Sequence, residues 1–262
     1  MAEGPLVHHY ADRLDEVLAG RNVEVEFGIK RLKDRGSEFA RARLDRVEAW
    51  GKQFHIYFSD GRVILVHLLM WGSWEVYGRG ESWDKSREQA RLILHTEDRV
   101  AVCFSAPIIE ILDDGDVDGH PRWGGLGPDP LRDDFDREEA LRRVRDEAER
   151  PIGPVLLDQT VMAGVGNILK NEILFHAGVH PKRTVDELSS EELEVILDWT
   201  IELCERWLND MGSGRDWQRV YRRSGRPCPE CGTEIEFFRQ KDRVTYACPC
   251  CQPLAGRDSD HE

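Results

Sequence analysis

The chain has 262 residues, 40% of them hydrophobic, and a formal net charge of −14 at pH 7. This length allows two sizeable lobes, each with its own core, and the sequence lacks the run of about 18 apolar residues that would cross a membrane. The negative net charge of the whole chain argues against a nucleic-acid partner, but this charge is unevenly distributed along the sequence. Residues 30–46 and 215–226 are net basic, and local basic faces decide contact with phosphates.

The N-terminal part of the chain predicts a helix followed by a β-rich lobe. Apolar residues recur at helical spacing over residues 5–19, and Gly20 ends that pattern. From about residue 23 to residue 112 the pattern changes to short β-forming segments separated by turn residues, which predicts a β-sandwich or barrel. The predicted strands cover residues 23–27, 43–49, 53–58, 63–69, 74–77, 91–95 and 100–104.

The second half of the chain is predicted to be mainly helical. Residues 113–133 are rich in Gly, Pro and Asp and are typical of a linker between domains. Helices are predicted over residues 136–149 and 189–207, and Ser189 followed by Glu192 resembles a capping box.

Residues 156–178, between those helices, predict a short helix, a glycine-bearing turn and a second helix that begins at Asn167. Gly164 and Gly166 allow another backbone to approach closely. Free N–H groups at the start of the second helix, beside the Asn167 amide, would suit one phosphate. A plain pair of helices, with glycines serving only their packing, is an equal alternative.

Two cysteine doublets near the C-terminus predict a zinc ribbon. The doublets are separated by sixteen residues that contain two β-prone segments, residues 234–239 and 243–246. Two C-x-x-C turns supply the four thiolates of a tetrahedral, structural zinc site. The predicted ligands are Cys228, Cys231, Cys248 and Cys251.

Two alternatives remain open at the cysteines. Paired disulfides are the first, although the leftover Cys103 and Cys204 and the absence of a signal peptide suit a reducing compartment. The second is Cys250, which could compete with Cys251 for the metal. The C-x-x-C spacing favours Cys251.

These motifs, with three others, resemble the formamidopyrimidine-DNA glycosylase / endonuclease VIII family. The start MAEGP resembles that family's MPEGP, Gly51-Lys52 before an apolar strand resembles its hairpin lysine, and HLLMWGS from His67 resembles its HLGMSG segment. The segment AGVGN ending at Asn167 resembles its helical motif, and Arg243 occupies the place of its ribbon arginine. The resemblance covers residues 2–252.

The resemblance implies an α+β multidomain protein. Its expected parts are an N-terminal helix with a β-sandwich, a helix-two-turn-helix domain and a C-terminal zinc ribbon. The expected limits are a catalytic domain over residues 1–119, a linker over 120–133, the helical domain over 134–218, the ribbon over 219–253 and a disordered tail over 254–262.

The resemblance also implies a DNA glycosylase of base-excision repair with AP lyase activity. The amine of Ala2, exposed by removal of Met1, would attack C1′ of the damaged nucleotide and form a Schiff base. Glu3 would shuttle protons and Lys52 would assist. Met70 would fill the space left by the flipped nucleotide. The residues expected to hold phosphates are Lys52, His67, Asn167 and Arg243.

Departures from the family pattern narrow the expectation. Ala2 replaces the usual proline, so the Schiff base must be protonated to act as an electron sink, and base excision should survive better than strand cleavage. Leu6 replaces a frequent glutamate. Residues 100–112 lack the Arg-x-Phe-Gly element that reads the opposite strand, and residues 212–226 are too short for the loop that covers 8-oxoguanine. The last two absences favour the endonuclease VIII branch, which acts on oxidised pyrimidines.

The substrate expected is therefore damaged DNA carrying oxidised pyrimidines or ring-opened bases, in duplex or single strand. One alternative is a glycosylase for single-stranded or interstrand-crosslinked DNA, and another is a non-catalytic protein that binds damaged DNA. Retention of Glu3 and Lys52 favours an enzyme. We expect a monomer without membrane association, located with the nucleoid in the cytoplasm of a bacterium or archaeon.

Overall fold

The computed structural model describes residues 2–40, 42–211 and 215–254. The chain forms two compact units: unit 1 comprises Met1–Ala2 and Leu6–Gly125, and unit 2 comprises Glu3–Pro5 and Leu126–Glu262. The divisions fall between Ala2 and Glu3, between Pro5 and Leu6, and between Gly125 and Leu126; the last lies inside the predicted linker. The finer domain limits stay a prediction, and most of the predicted tail lies outside the described residues.

Unit 1 contains nearly all of helix α1 (Gly4–Leu18), which confirms the N-terminal helical prediction. Gly20, with a φ of 74°, follows it and ends the helix. The strands of unit 1 are β1 (Arg21–Asn22), β2 (Glu24–Phe27), β3 (Arg43–Trp50), β4 (Gln53–Phe58), β5 (Arg62–His67), β6 (Ser73–Gly78), β7 (Ala90–His95), β8 (Arg99–Phe104) and β9 (Ile108–Asp113).

These strands form two antiparallel sheets, in the orders β1-β3-β4-β5-β9 and β2-β7-β8-β6. Buried side chains from both sheets and from α1 belong to one hydrophobic core. Phe54 of β4 and Trp74 of β6 meet across it with ring centroids 6.0 Å apart. The predicted β-sandwich is therefore confirmed.

The elements of unit 1 that were not predicted include two strands and a long 3₁₀ helix. Strand β1 has two residues, too few to show a pattern. Strand β9 pairs with β5 along its whole length, although Pro107 before it and the acidic run after it are typical of a loop. The 3₁₀ helix Lys30–Phe39 buries only Leu32 and Phe39, so its sequence shows no apolar stripe.

Unit 2 contains α2 (Arg137–Arg145), α3 (Ile152–Leu156), α4 (Asn167–His176), α5 (Ser190–Asn209), β10 (Glu236–Gln240) and β11 (Arg243–Ala247). The capping box is present: Ser189 Oγ accepts from the Glu192 N–H at 3.2 Å, and the Glu192 carboxylate accepts from the Ser189 N–H at 2.9 Å. Helix α2 ends at Arg145, before the predicted residue 149, and residues 146–149 form turns.

Among the described residues, no helix combines the length and the apolar character needed to span a bilayer.

Candidate active site and nucleic-acid interface

Ala2 lies in the core of unit 1, with 6% of its surface exposed. Its backbone nitrogen donates to the carbonyl oxygen of Leu69 at 3.3 Å. This nitrogen becomes the N-terminal amine once Met1 is removed. The predicted nucleophile is therefore anchored next to the loop that follows β5.

That loop, residues 68–72, presents three consecutive apolar side chains to solvent. Leu69 is 43% exposed, Met70 50% and Trp71 82%. The turn is tight: the Gly72 N–H donates to the Leu68 carbonyl at 3.0 Å, and a Cβ on Gly72 would lie 2.8 Å from that oxygen. Met70 is thus a surface residue, as a wedge requires. The sequence motif did not indicate its neighbours Leu69 and Trp71.

Lys52 and His67 lie at the same end of neighbouring strands. Gly51 and Lys52 form the two-residue turn between β3 and β4, where Gly51 has a φ of 59°. The next residue, Gln53, pairs with His67 across β4 and β5. The register therefore brings both predicted phosphate ligands to one edge of the sheet.

The imidazole of His67 is held in its neutral form. Its Nδ1 accepts from the Leu69 N–H at 3.0 Å, so a neutral ring carries its hydrogen on Nε2. Burial, followed by the positive charges of Lys52 and Arg122, lowers the pKa of His67 to about 4. At pH 7 the ring can donate one hydrogen bond, while the positive charge of this edge comes from its neighbours.

Arg122 is a neighbour that the sequence did not indicate, because it lies in the predicted linker. The amide of Gln53 donates to the Arg122 carbonyl at 3.2 Å. The side chain of Arg122 is 53% exposed, and its Nε lies 3.4 Å from a carboxylate oxygen of Glu110. The adjacent Trp123 is fully buried, and a tryptophan in a polar linker was the available signal.

In unit 2, the carboxylate of Glu3 occupies the N-terminus of α4. One oxygen accepts from the Ile168 N–H at 2.8 Å and the other from the Leu169 N–H at 3.1 Å, with Glu3 fully buried. The free N–H groups of a helix start attract an anion. At these two N–H groups the anion is therefore a carboxylate supplied by the chain itself, so the prediction that they are free for a phosphate is wrong, whereas a phosphate contact of the Asn167 side chain stays a prediction.

The glycines of the turn make room for Glu3. A Cβ on Gly166 would lie 2.2 Å from Glu3 Cδ, and one on Gly4 would lie 2.8 Å from Gly164 Cα. The Gly4 N–H donates to the Gly164 carbonyl at 2.9 Å, and Gly164 has a φ of 89°. Close backbone approach at this turn is confirmed, and the approaching segment is the N-terminal one.

Asn167 begins α4, as predicted, and its side chain contacts the ribbon. Its Nδ2 donates to the Val244 carbonyl at 2.9 Å, and its Oδ1 accepts from Lys170 Nζ at 3.0 Å. Arg243, the residue before Val244, is exposed at the start of β11. Asn167 and Arg243 are thus brought together, and their contact with phosphates stays a prediction.

Helix α4 also buries three polar residues that no motif indicated: Lys170, Asn171 and Glu172 are each fully buried. The Glu172 carboxylate accepts from the backbone N–H groups of Arg219, Val220 and Tyr221 at 2.6, 3.1 and 2.8 Å. Burial nevertheless raises the pKa of Glu172. The signal in the sequence was a set of charged residues on an otherwise apolar helix.

The four predicted cysteines form one cluster. The Sγ atoms of Cys228, Cys231, Cys248 and Cys251 all lie within 4.8 Å of one another, with pairs at 3.5 and 3.8 Å. Four thiolates about 2.3 Å from one tetrahedral ion would be about 3.8 Å apart, so the cluster can hold a metal ion. Cys250 is exposed outside it, and the cysteines are free rather than disulfide-bonded, which confirms the choice of Cys251.

Comparisons with known proteins agree with this arrangement. A profile of the formamidopyrimidine-DNA glycosylase N-terminal domain matches residues 1–107, and one of the formamidopyrimidine-DNA glycosylase H2TH domain matches residues 126–216. Probable endonuclease 8 2 of Streptomyces coelicolor is 36% identical, over 96% of this chain and 94% of its own length. Endonuclease 8 of Pectobacterium atrosepticum is 32% identical, over 96% of this chain and 100% of its own.

Solved structures share the fold. Lactococcus lactis formamidopyrimidine-DNA glycosylase, bound to DNA that contains an AP site, superposes with a TM-score of 0.83 at 23% identity, over 96% of this chain and 100% of that chain. A β-sandwich, an H2TH segment and a four-cysteine hairpin together define a base-excision DNA glycosylase that binds DNA. The chain belongs to the formamidopyrimidine-DNA glycosylase / endonuclease VIII family, and it is a DNA glycosylase and AP lyase.

Proposed function

We propose that this enzyme removes oxidised pyrimidines or ring-opened bases from DNA with the amine of Ala2 as nucleophile, and that its AP lyase activity is weaker. The observation that carries the proposal is the fixed carboxylate of Glu3, the residue after Ala2, which two N–H groups of α4 hold. Proton transfer in a transition state needs such a positioned group.

The chemistry begins with removal of Met1, which the small Ala2 permits. An α-amine has a pKa near 8, so far more of it is neutral at pH 7 than of a lysine side chain. The amine attacks C1′, the glycosidic electron pair leaves with the base, and the base takes up a proton. Glu3 then moves a proton to the sugar ring oxygen as the ring opens to the Schiff base.

The primary amine of Ala2 accounts for the weaker lyase step. A Schiff base from a secondary amine is permanently charged, whereas the imine from Ala2 must be protonated before it withdraws electrons from the sugar. Elimination of the flanking phosphates should therefore lag behind base release.

Each unit carries residues that we propose to contact DNA. Lys52, the Nε2–H of neutral His67, Asn167 and Arg243 contact phosphates, and Met70 with its exposed neighbours fills the stack where the damaged nucleotide is flipped out. The cysteine cluster holds zinc, because four thiolates in this geometry suit that ion. The zinc is structural and keeps the hairpin that carries Arg243 folded.

The preference for oxidised pyrimidines is supported by a short connection. Only residues 105–107 join β8 to β9, which leaves no room for a long element that reads the opposite strand. The same observation favours a second candidate substrate, single-stranded or interstrand-crosslinked DNA. We place the protein at the bacterial nucleoid as a monomer.

The test is base release from oligonucleotides that carry thymine glycol, a hydantoin or 8-oxoguanine, each in duplex and in single strand. We expect thymine glycol and hydantoin to be released faster than 8-oxoguanine, and base release to exceed strand cleavage. Ala2→Pro should raise the proportion of strand cleavage, whereas Ala2→Gly, which keeps a primary amine, should not. Preference for 8-oxoguanine would overturn the substrate assignment.

A further inference from the structure

Helix α4 binds the edge of strand β11 through a matched pair of asparagines. Asn167 Nδ2 donates to the Val244 carbonyl at 2.9 Å, and Asn171 Oδ1 accepts from the Tyr246 N–H at 2.7 Å. Four residues of α-helix rise about 6.0 Å and two residues of strand about 6.6 Å, so the two spacings agree. Within the described part of the chain, strand β11 pairs with β10, and on its other edge the Val244 carbonyl and the Tyr246 N–H bond to these two amides.

Between the asparagines lies the fully buried Lys170. Its Nζ donates to Asn167 Oδ1 at 3.0 Å and to Thr245 Oγ1 at 2.7 Å. The Thr245 hydroxyl donates to Gln240 Oε1 at 3.2 Å, and Gln240 Nε2 donates to the Pro181 carbonyl at 2.9 Å. Two chains of hydrogen bonds therefore start at one ammonium group.

The ammonium group gives both chains their direction. It can only donate, and the backbone carbonyls of Val244 and Pro181, where the chains end, can only accept. The amides of Asn167 and Gln240 must then turn their oxygens toward Lys170 and their nitrogens away from it. Without the ammonium, the Asn167 oxygen and the Thr245 hydroxyl lose their donor, and each amide is held in its orientation only through its bond to a backbone carbonyl.

One chain passes through Gln240, which lies at the tip of the ribbon hairpin. Gln240 pairs with Arg243 across the turn formed by Lys241 and Asp242, and Lys241 has a φ of 48°. The side chain of Gln240 is in turn tied to Pro181. The orientation of the Gln240 amide therefore affects the position of Arg243.

We propose that Lys170 is a positioning residue: it directs the hydrogen bonds that dock the ribbon hairpin on α4, and through them it fixes Arg243 for a DNA phosphate. The docking role stands on the contacts above, and the part that concerns DNA rests on the proposed function. Burial lowers the pKa of Lys170 to about 7, with Glu3 raising it and Arg243 lowering it, so the ammonium form that directs the two chains predominates below pH 7. An apolar residue would avoid this desolvation cost, so the ammonium is retained for its donors.

The docking role is tested without DNA, by hydrogen exchange on the full-length, zinc-loaded protein. Lys170→Met and Thr245→Val each break the network, and Lys85→Met removes one partly exposed positive charge of unit 1 as the control. We expect the Tyr246 amide to exchange about tenfold faster or more in the first two variants and at the wild-type rate in the control. Wild-type exchange in both network variants would overturn the docking role.

The link to Arg243 is tested by a double-mutant cycle with a duplex that carries a tetrahydrofuran abasic analogue, at fixed salt. Lys170→Met should weaken binding about tenfold in the wild-type background and less than twofold in an Arg243→Gln background. An equal loss in both backgrounds would overturn the action through Arg243. If the wild type does not bind this duplex, the proposed function has failed, and the exchange experiment still decides the docking role.

Discussion

The start of α4 and the edge near His67 both look like anion sites in the sequence, yet they differ in what satisfies them. At α4 the N–H groups of Ile168 and Leu169 already hold the buried carboxylate of Glu3. At the other edge a neutral His67 lies beside Lys52 and a loop of exposed apolar side chains. The N–H groups at the start of α4 are thus bonded to a carboxylate of the chain itself, whereas the apolar side chains near His67 are exposed to solvent and are proposed to contact DNA.

The largest effect is expected on the rate of base release, from changes at Glu3 and its contacts with α4. Glu3→Gln should lower single-turnover base release by about 10²–10⁴-fold, the range for loss of a general acid or base. Gly166→Ala should approach that loss, because its methyl group would lie 2.2 Å from Glu3 Cδ. Gly119→Ala is the control, since no atom lies within 4 Å of a Cβ there. A wild-type rate of base release in Gly166→Ala would show that the position of the Glu3 carboxylate at the N-terminus of α4 does not affect catalysis.

The next effect concerns the metal. Removal of the ion from the cysteine cluster should weaken DNA binding at least about tenfold, because a two-stranded hairpin is only marginally stable without a bound metal or another cross-link. The β-sandwich of unit 1 should stay folded. Affinity is measured after metal analysis shows the ion to be gone, with circular dichroism to follow the fold and Cys250→Ser as the matched control. Unchanged affinity in the metal-free protein would separate the ribbon from DNA binding.

A smaller effect on DNA affinity is expected from the exposed loop of residues 68–72. Met70→Ala and Trp71→Ala should each weaken binding to a lesion duplex by about tenfold, because stacking of an aromatic ring on a base contributes roughly 1–3 kcal/mol and Met70→Ala removes the apolar wedge between base steps. The melting temperature should not change, since both side chains are exposed. Fluorescence anisotropy and thermal unfolding measure the two quantities. A lower melting temperature with unchanged affinity would mean that the loop serves the fold and not the DNA.

A further prediction concerns a different quantity, the pH dependence of the free energy of unfolding, to which His67 contributes. Its pKa is about 4 in the folded protein and about 6.5 in the unfolded chain, so the unfolded state binds more protons between these values. Stability is therefore fully present above about pH 6.5 and declines as the pH falls toward 4. His67→Gln should lessen that decline by about 1–3 kcal/mol in urea unfolding. An identical decline in wild type and variant would contradict the neutral ring.

Much of the fold follows from local signals. The β-forming residues of segment 53–58 marked β4 at its observed limits, and the two C-x-x-C turns marked all four members of the cysteine cluster. Strand β9 could not be found this way, because pairing with β5 and not its own sequence makes it a strand.

The site was less predictable because its contacts are distant in sequence. Glu3 and Ile168 are 165 residues apart, so a free helix start was the natural expectation. Lys170 gave no motif, since its role depends on Thr245, 75 residues away. Family resemblance located Ala2 and Arg243, whereas only the structure shows that the start of α4 is already occupied.

The most direct measurement of the central claim is the site of the covalent adduct. The enzyme is trapped with borohydride on an oligonucleotide that carries an abasic site, digested and mapped by mass spectrometry. We predict one adduct, on the peptide that begins at Ala2, with Met1 absent. An adduct on Lys52 or Lys170, or on a peptide that still begins with Met1, would contradict the assignment of the Ala2 amine as nucleophile.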